Sequence, residues 1–302
     1  MRRLKQIAWT AHWVRRVSRF KTGQLLLRAF QRFPVTGGIY RAAVGYHRPF
    51  SSLEEANIAV ESYADMGHEH PVNASQHLEF NKFGRPSDYA ALFHIQRILP
   101  EVHEIFDLGG NVGNLFYLYS KDIGGLSRVT WRVLDLPAHI ALGEAIAKER
   151  EAHQLKFTQD WADANGVDLL LVSGSLHYFE RSLAQMVIEL RKKPKHILVN
   201  RTPLTDGAPV AAVQDKGDYR VACMLYNKRE VIGELTQLGY VLVDEWRATE
   251  LSMEIPGYPE HRISAYSGFF MSYKGEGIGT VRVGTRSMAG TKELDSLPGQ
   301  AA

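Results

Sequence analysis

The glycine-rich turn Asp107-Leu108-Gly109-Gly110-Asn111-Val112-Gly113 constrains this 302-residue chain more than any other feature. It follows an apolar, β-branched run at 102–106, so a strand ends in an acid and the chain turns at once. A second strand-like run at 129–134 ends in Asp135, 28 residues after Asp107. Two acids at consecutive strand ends, with glycines between them, mark a nucleotide-type cofactor site at the carboxyl edge of a parallel sheet.

The rest of the pattern supports that sheet. Strand-like runs at 102–107, 129–134, 155–158, 167–173, 195–200, 239–246 and 263–273 alternate with helical runs at 113–121, 137–152, 181–192 and 228–238. Such alternation builds crossover units and a sheet covered on both faces. The expected fold class is α/β: a Rossmann-like, seven-stranded, mostly parallel sheet with helices on both faces, plus an N-terminal helical region. The last two strands read as a closing hairpin, which places an antiparallel strand at the end of the sheet.

The details of the turn separate two cofactor classes. Dinucleotide sites require G-x-G-x-x-G, whose second glycine lets backbone approach a pyrophosphate. Here the third position of that pattern is Asn111, and Asp107 at the strand tip repels phosphate. S-adenosylmethionine carries an amino group, a sulfonium and a ribose, and no phosphate. An acid beside the turn attracts the amino group, and a second acid accepts the ribose hydroxyls. Asp107 and Asp135 are spaced for those tasks, and asparagine enters the left-handed backbone region more readily than most residues. A glycine turn with no ligand satisfies the same pattern.

Charge is unevenly spread. Residues 1–50 hold eleven Lys or Arg and no acid, leaving 25 basic against 33 acidic residues in the remainder. Residues 4–33 read as an amphipathic helix with Trp9, Trp13 and Phe20 widening its apolar face. A basic amphipathic arm fits packing on its own domain, a homodimer through N-terminal helices, or a peripheral contact with an anionic membrane. Ser51-x-x-Glu54 reads as a capping box, and a capped helix is expected over 87–99. His68, His70 and His77 lack a recognised ligand spacing, so no metal is assigned to them. One cysteine, Cys223, excludes an internal disulfide and suits a reducing compartment. No run approaches the about 20 apolar residues of a membrane span, and arginines interrupt any N-terminal signal core. The expected location is cytoplasmic, with the inner face of the membrane as an alternative. The expected organisation is a basic helical arm at 1–45, a helical cap region at 46–100, a cofactor-binding domain at 101–274 and a disordered tail at 275–302.

Over roughly 45–273 the chain resembles class I S-adenosylmethionine-dependent methyltransferases. The resemblance rests on the glycine turn, Asp135-Leu136-Pro137, Asp160-Trp161 and Leu176-His177-Tyr178-Phe179, in that order. The Asp-Leu-Pro tripeptide is similar to small-molecule O-methyltransferases of the hydroxyindole and plant phenol type. An uncharacterised bacterial methyltransferase family is similar along more of the chain, including Ser173-Gly-Ser-Leu-His-Tyr-Phe-Glu180 and Asn200-Arg201-Thr202-Pro203.

The resemblance implies roles. Gly109, Gly110, Asn111 and Gly113 lie against the methionine and ribose parts of the cofactor, with Leu136 and Ser173 beside them. Asp135 holds the ribose. Asp160 and Trp161 read adenine, although Trp161 equally fits core packing. His177 follows the fourth strand, where a histidine of the plant-type enzymes removes a proton from an acceptor hydroxyl; a pocket-lining or structural histidine fits the same position. Two departures bear on that role: Tyr178 follows His177 where the plant enzymes carry Asp, and Asn200 replaces a strand-five carboxylate. From the residues themselves, Arg201 and Thr202 follow strand five, where an arginine can grip a carboxylate or phosphate or can form only a surface ion pair. Tyr226 and the 214–226 stretch lie where acceptor-contacting segments insert, while Arg85 and Tyr89 can close over the cofactor.

The leading expectation is a methyltransferase acting on a small-molecule or glycan-type hydroxyl. A catalytically inactive binding or scaffold protein keeps the same fold. A nucleic-acid methyltransferase fits the basic arm, but Ser-Gly-Ser-Leu stands where an Asn-Pro-Pro-Tyr-type tetrapeptide would be needed.

Overall fold

A computed structural model describes residues 16–17, 20–32, 45–61, 83–215 and 220–275. Its strands β1 (Glu104–Leu108), β2 (Thr130–Leu134), β3 (Leu155–Thr158), β4 (Leu169–Ser173) and β5 (His196–Thr202) all run parallel. Helices α4 (Asn114–Tyr119), α5 (Pro137–Glu149) and α6 (Leu183–Ile188) occupy the crossovers. Three further helices precede them: α1 (Lys21–Arg32), α2 (Leu53–Glu61) and α3 (Pro86–Ile98). After β5 come the hairpin β6 (Val210–Asp215) and β7 (Arg220–Leu225), helix α7 (Lys228–Gln237) and strand β8 (Tyr240–Ala248). A second hairpin, β9 (Met253–Ile255) and β10 (Tyr258–Ile263), leads into β11 (Tyr266–Tyr273).

The central sheet has seven strands in the order β3-β2-β1-β4-β5-β11-β8. Strand order leaves β1 in both directions, so the switch point lies between β1 and β4, where crevices open beyond the strand ends. The α/β class and the mostly parallel sheet agree with the sequence reading. The antiparallel strand is β11, and it lies one place in from the edge. The chain reaches the outer position first as β8 and returns inward, so the outermost strand shares the direction of β5. The two hairpins are additions that the strand pattern did not reveal.

Period-two alternation divides the core. Phe106, Leu108, Leu170, Val172, Ile197, Val199, Phe269 and Met271 pack on one face with α6 and α7. Ile105, Leu169, Leu171, Leu198 and Phe270 point to the other, with Trp131 and residues of α3 and α4. The expected cap region is only partly helical: Tyr46 and Phe50 bridge antiparallel to Gln214 and Ala211, laying an extended segment along β6. The first cap is shifted by one residue, since Ser52 Oγ accepts from Glu55 N at 3.1 Å. Helix α1 docks through Arg28, whose Nε donates to Gly257 O at 2.8 Å and whose guanidinium covers Tyr258. Its Leu27 is buried, while Leu25, Leu26 and Phe30 are exposed. Among the described residues no helix is long and apolar enough to cross a membrane. Most of the arm, the histidines at 68, 70 and 77, and the tail beyond Gly275 lie outside the described residues.

Candidate functional site

The glycine turn is clamped from several sides. Gly109 N donates to Leu134 O at 2.8 Å, tying the turn to the end of β2. Gly109 has φ 71°, and a Cβ there would fall 2.4 Å from Ser175 Cβ, so side-chain-free backbone is required. A Cβ on Gly110 would meet Asp107 Oδ2 at 2.5 Å. Asn111 adopts φ 55°, the left-handed conformation expected of it in this turn. Its N–H donates to Asp135 Oδ2 at 2.7 Å. The acid that ends β2 therefore holds the turn that follows β1.

Asp135 is the hub of this corner. Its Oδ1 accepts from Leu136 N at 2.8 Å and pairs with His139 Nδ1 at 2.6 Å. Pro137 starts α5, which places His139 one turn later and brings its ring back onto the acid. His139 is 4% exposed, and its Nε2 has no hydrogen-bond partner. The residue spacing Asp-x-x-x-His was legible in the sequence once a helix began at Pro137, but it was not singled out there.

A cavity of about 400 Å³ opens over the switch point. Gly109, Gly110, Asn111, Asp135, Leu136 and His139 line one side. Ser173, His177, Tyr178, Arg201, Gln214 and Tyr266 line the other, with Arg85 also on the wall. His177 is buried on the short 3₁₀ turn after β4, its ring 4.0 Å from that of Tyr178. A chain of polar groups backs this wall: Tyr178 Oη donates to Gln214 Oε1 at 2.8 Å, Gln214 Nε2 donates to Tyr46 Oη at 2.7 Å, and Tyr46 meets Tyr266 Oη at 2.8 Å. Burial lifts the Tyr266 phenol to about 12 and raises Tyr46 as well, so both stay protonated at neutral pH.

Of the residues assigned to the site from sequence, Tyr89, Asp107, Gly113, Asp160, Trp161, Thr202 and Tyr226 do not line this cavity. Asp107 is 1% exposed beneath Gly110, and its Oδ2 accepts from Trp131 Nε1 at 3.1 Å. The expectation that it faces an ammonium group directly is corrected accordingly: turn backbone and an indole cover it. Burial raises its pKa from 3.8 to about 7, against the lowering effect of the indole. Gly113 packs against Leu155 at the start of α4. Asp160 caps a 3₁₀ turn by accepting from Ala162 N at 2.8 Å. Trp161 donates to Met186 O and meets Phe106 edge-on, which is the core-packing role. Thr202 is fully buried, and the Tyr226 hydroxyl donates to Phe179 O. Asn200 Oδ1 accepts from Trp246 Nε1 at 3.0 Å.

No family model matches the chain, and no curated protein matches it. Solved structures do. The 1,6-didemethyltoxoflavin N1-methyltransferase of Burkholderia thailandensis, with its substrate and S-adenosylhomocysteine bound, is 14% identical with a TM-score of 0.45, covering 76% of this chain and 94% of that one. The magnesium protoporphyrin IX methyltransferase of Synechocystis PCC 6803 with bound S-adenosylhomocysteine is 10% identical with a TM-score of 0.44, covering 72% and 99%. A glycopeptide N-methyltransferase complexed with S-adenosylmethionine is 12% identical with a TM-score of 0.42, covering 64% and 95%.

Proposed function

We propose that this protein is an S-adenosylmethionine-dependent methyltransferase acting on a hydroxyl of a small-molecule or glycan-type acceptor. One observation carries the reading: a glycine turn held by Asp135 bounds a cavity at the switch point of the sheet. Asp135 anchors that turn through Asn111 N and faces the cavity. The residues fit the cofactor in two further respects. Gly109 and Gly110 present bare backbone on the cavity wall, since a Cβ on either would collide with Ser175 or Asp107. The unpartnered His139 Nε2 supplies a polar contact beside Asp135. A carboxylate offers about four acceptor positions, and three donors already engage Asp135. Asp135 and His139 together therefore hold the ribose, a division of labour that the acid alone could not meet.

When bound, the cofactor supplies an activated methyl on a sulfonium, so the protein contributes alignment and proton removal. His177, at the carboxyl edge and on the cavity wall, is the group for proton removal from the acceptor hydroxyl. Tyr178 and Tyr266 flank it, and the Tyr266 hydroxyl, which accepts from Tyr46, keeps its own hydrogen for the acceptor. Position 200, where the plant enzymes carry an acid, is an asparagine whose Oδ1 accepts from Trp246 Nε1. That contact favours a second reading, a cofactor-binding protein without turnover. Bound S-adenosylmethionine that stays intact across a panel of hydroxyl and amine acceptors would establish it.

Calorimetric titration with S-adenosylhomocysteine tests the leading reading. Asp135→Asn removes the charge behind several hydrogen bonds, so affinity should fall about tenfold or more. Equal affinity in wild type and variant would remove Asp135 from the site.

A further inference from the structure

Arg201 is built into the cavity wall at some cost. It is 7% exposed and has φ 52°, a backbone conformation that strains a residue with a long side chain. Ser173 Oγ accepts from its Nε at 3.3 Å and its Nη2 at 3.0 Å, which aims the guanidinium fork. The nearest acid, Asp88, lies 3.5 Å from Nη1. Asp88 is fully buried and already accepts from Tyr119 Oη and Arg85 N, each at 2.9 Å.

Arg85 lines the same cavity. Among the described residues no ion pair holds its guanidinium. Its charged neighbours are Arg201, Asp88 and Glu250, and burial and the like charge of Arg201 pull it below the usual guanidinium range. Glu250 is engaged elsewhere, its Oε1 accepting from Ser87 N at 3.2 Å and Ser87 Oγ at 2.5 Å. The two acids balance the two arginines in charge, and Arg85 lines the cavity with no side-chain hydrogen bond or ion pair of its guanidinium among the described residues. Planar forks of this kind match an oxyanion with two or more acceptor oxygens. Arg201 lies near the end of β5, three strands from the β2 end that carries Asp135. Three strand spacings are about 14 Å, so the arginines stand across the cavity from the ribose corner.

We infer that Arg85 and Arg201 form a subsite for a carboxylate or phosphate group borne by the methyl acceptor. The inference rests on the methyltransferase reading for the identity of the ligand as acceptor, and it narrows that acceptor to an anionic molecule. The same chemistry has a second source, the methionine carboxylate of the cofactor, which the test separates.

Protein saturated with S-adenosylhomocysteine is titrated with benzoate, phenyl phosphate and the neutral isostere benzamide, followed by ligand-observed NMR. Wild type should bind the anions about tenfold or more tightly than benzamide. Arg85→Gln should abolish that preference and Arg85→Lys should keep part of it, with circular dichroism confirming that both fold. No saturable binding of either anion, equal binding of benzamide, or an unchanged preference in Arg85→Gln overturns the inference. In a parallel arm, S-adenosylhomocysteine is compared with methylthioadenosine, which lacks the amino-acid part. Weakening of the former alone by Arg85→Gln assigns the pair to the cofactor and overturns the acceptor site. If wild type fails to bind S-adenosylhomocysteine, the methyltransferase reading falls, and the anion preference is judged by the same criteria on unliganded protein.

Discussion

Asp107 and Asp135 end neighbouring strands, yet the structure gives them opposite environments. Asp135 faces the cavity with three donors around it, whereas Asp107 sits under the turn with one indole N–H. Burial moves Asp107 from 3.8 to about 7. An acid whose pKa is raised by folding binds its proton more tightly in the native state, so stability is lost as pH rises from the unfolded to the folded value. Asp107→Asn mimics the protonated form and still accepts from Trp131. Urea unfolding from pH 4 to 8 should therefore show the variant gaining on wild type across that window, by on the order of 4 kcal/mol at the upper end. Parallel pH profiles would show that Asp107 keeps an ordinary pKa. Sequence spacing placed both acids at the sheet edge but could not tell which one the turn would cover. His139 was within reach of sequence reasoning, because a helix starting at Pro137 puts position 139 over Asp135. The pairing of Arg85 with Arg201 was not, because 116 residues separate them and only the tertiary fold brings them together.

Strands β1 to β5 were readable because each is a short apolar run bounded by acids, glycines or prolines. The hairpin β6–β7 escaped because Val210-Ala-Ala-Val-Gln-Asp lacks the β-branched density of a core strand and is stabilised by neighbours instead. Ala211 and Val213 pack with Phe50 and Leu53 of the cap segment. Strand β11 is where sequence and structure differ most in position, since its run was legible and its place between β5 and β8 was not. Phe270 anchors it, fully buried and stacked on His94 at 4.7 Å and His196 at 5.4 Å. Phe270→Ala should cost about 3–5 kcal/mol in urea unfolding. Because Phe270 faces α3 and not the cavity wall, S-adenosylhomocysteine affinity should stay within about twofold of wild type at temperatures where the variant is folded. A cost under about 1 kcal/mol would show that the β11 layer is not part of the cooperative core.

The molecule as a whole arranges one sheet between two apolar layers and opens its cavity where strand order reverses. The side of the cavity proposed for the cofactor is built from residues close together in sequence, which is why a motif sufficed to point to it. The side proposed for the acceptor draws on Tyr46, Arg85, His177, Arg201, Gln214 and Tyr266, scattered along most of the chain. No local pattern could have assembled that set. The choice between S-adenosylmethionine and a dinucleotide rests on the acid-held turn, and a competition titration decides it. One equivalent of S-adenosylhomocysteine should bind wild type, and NAD⁺ should fail to displace it. Absence of S-adenosylhomocysteine binding at high micromolar concentration, or its displacement by NAD⁺, would contradict the assignment.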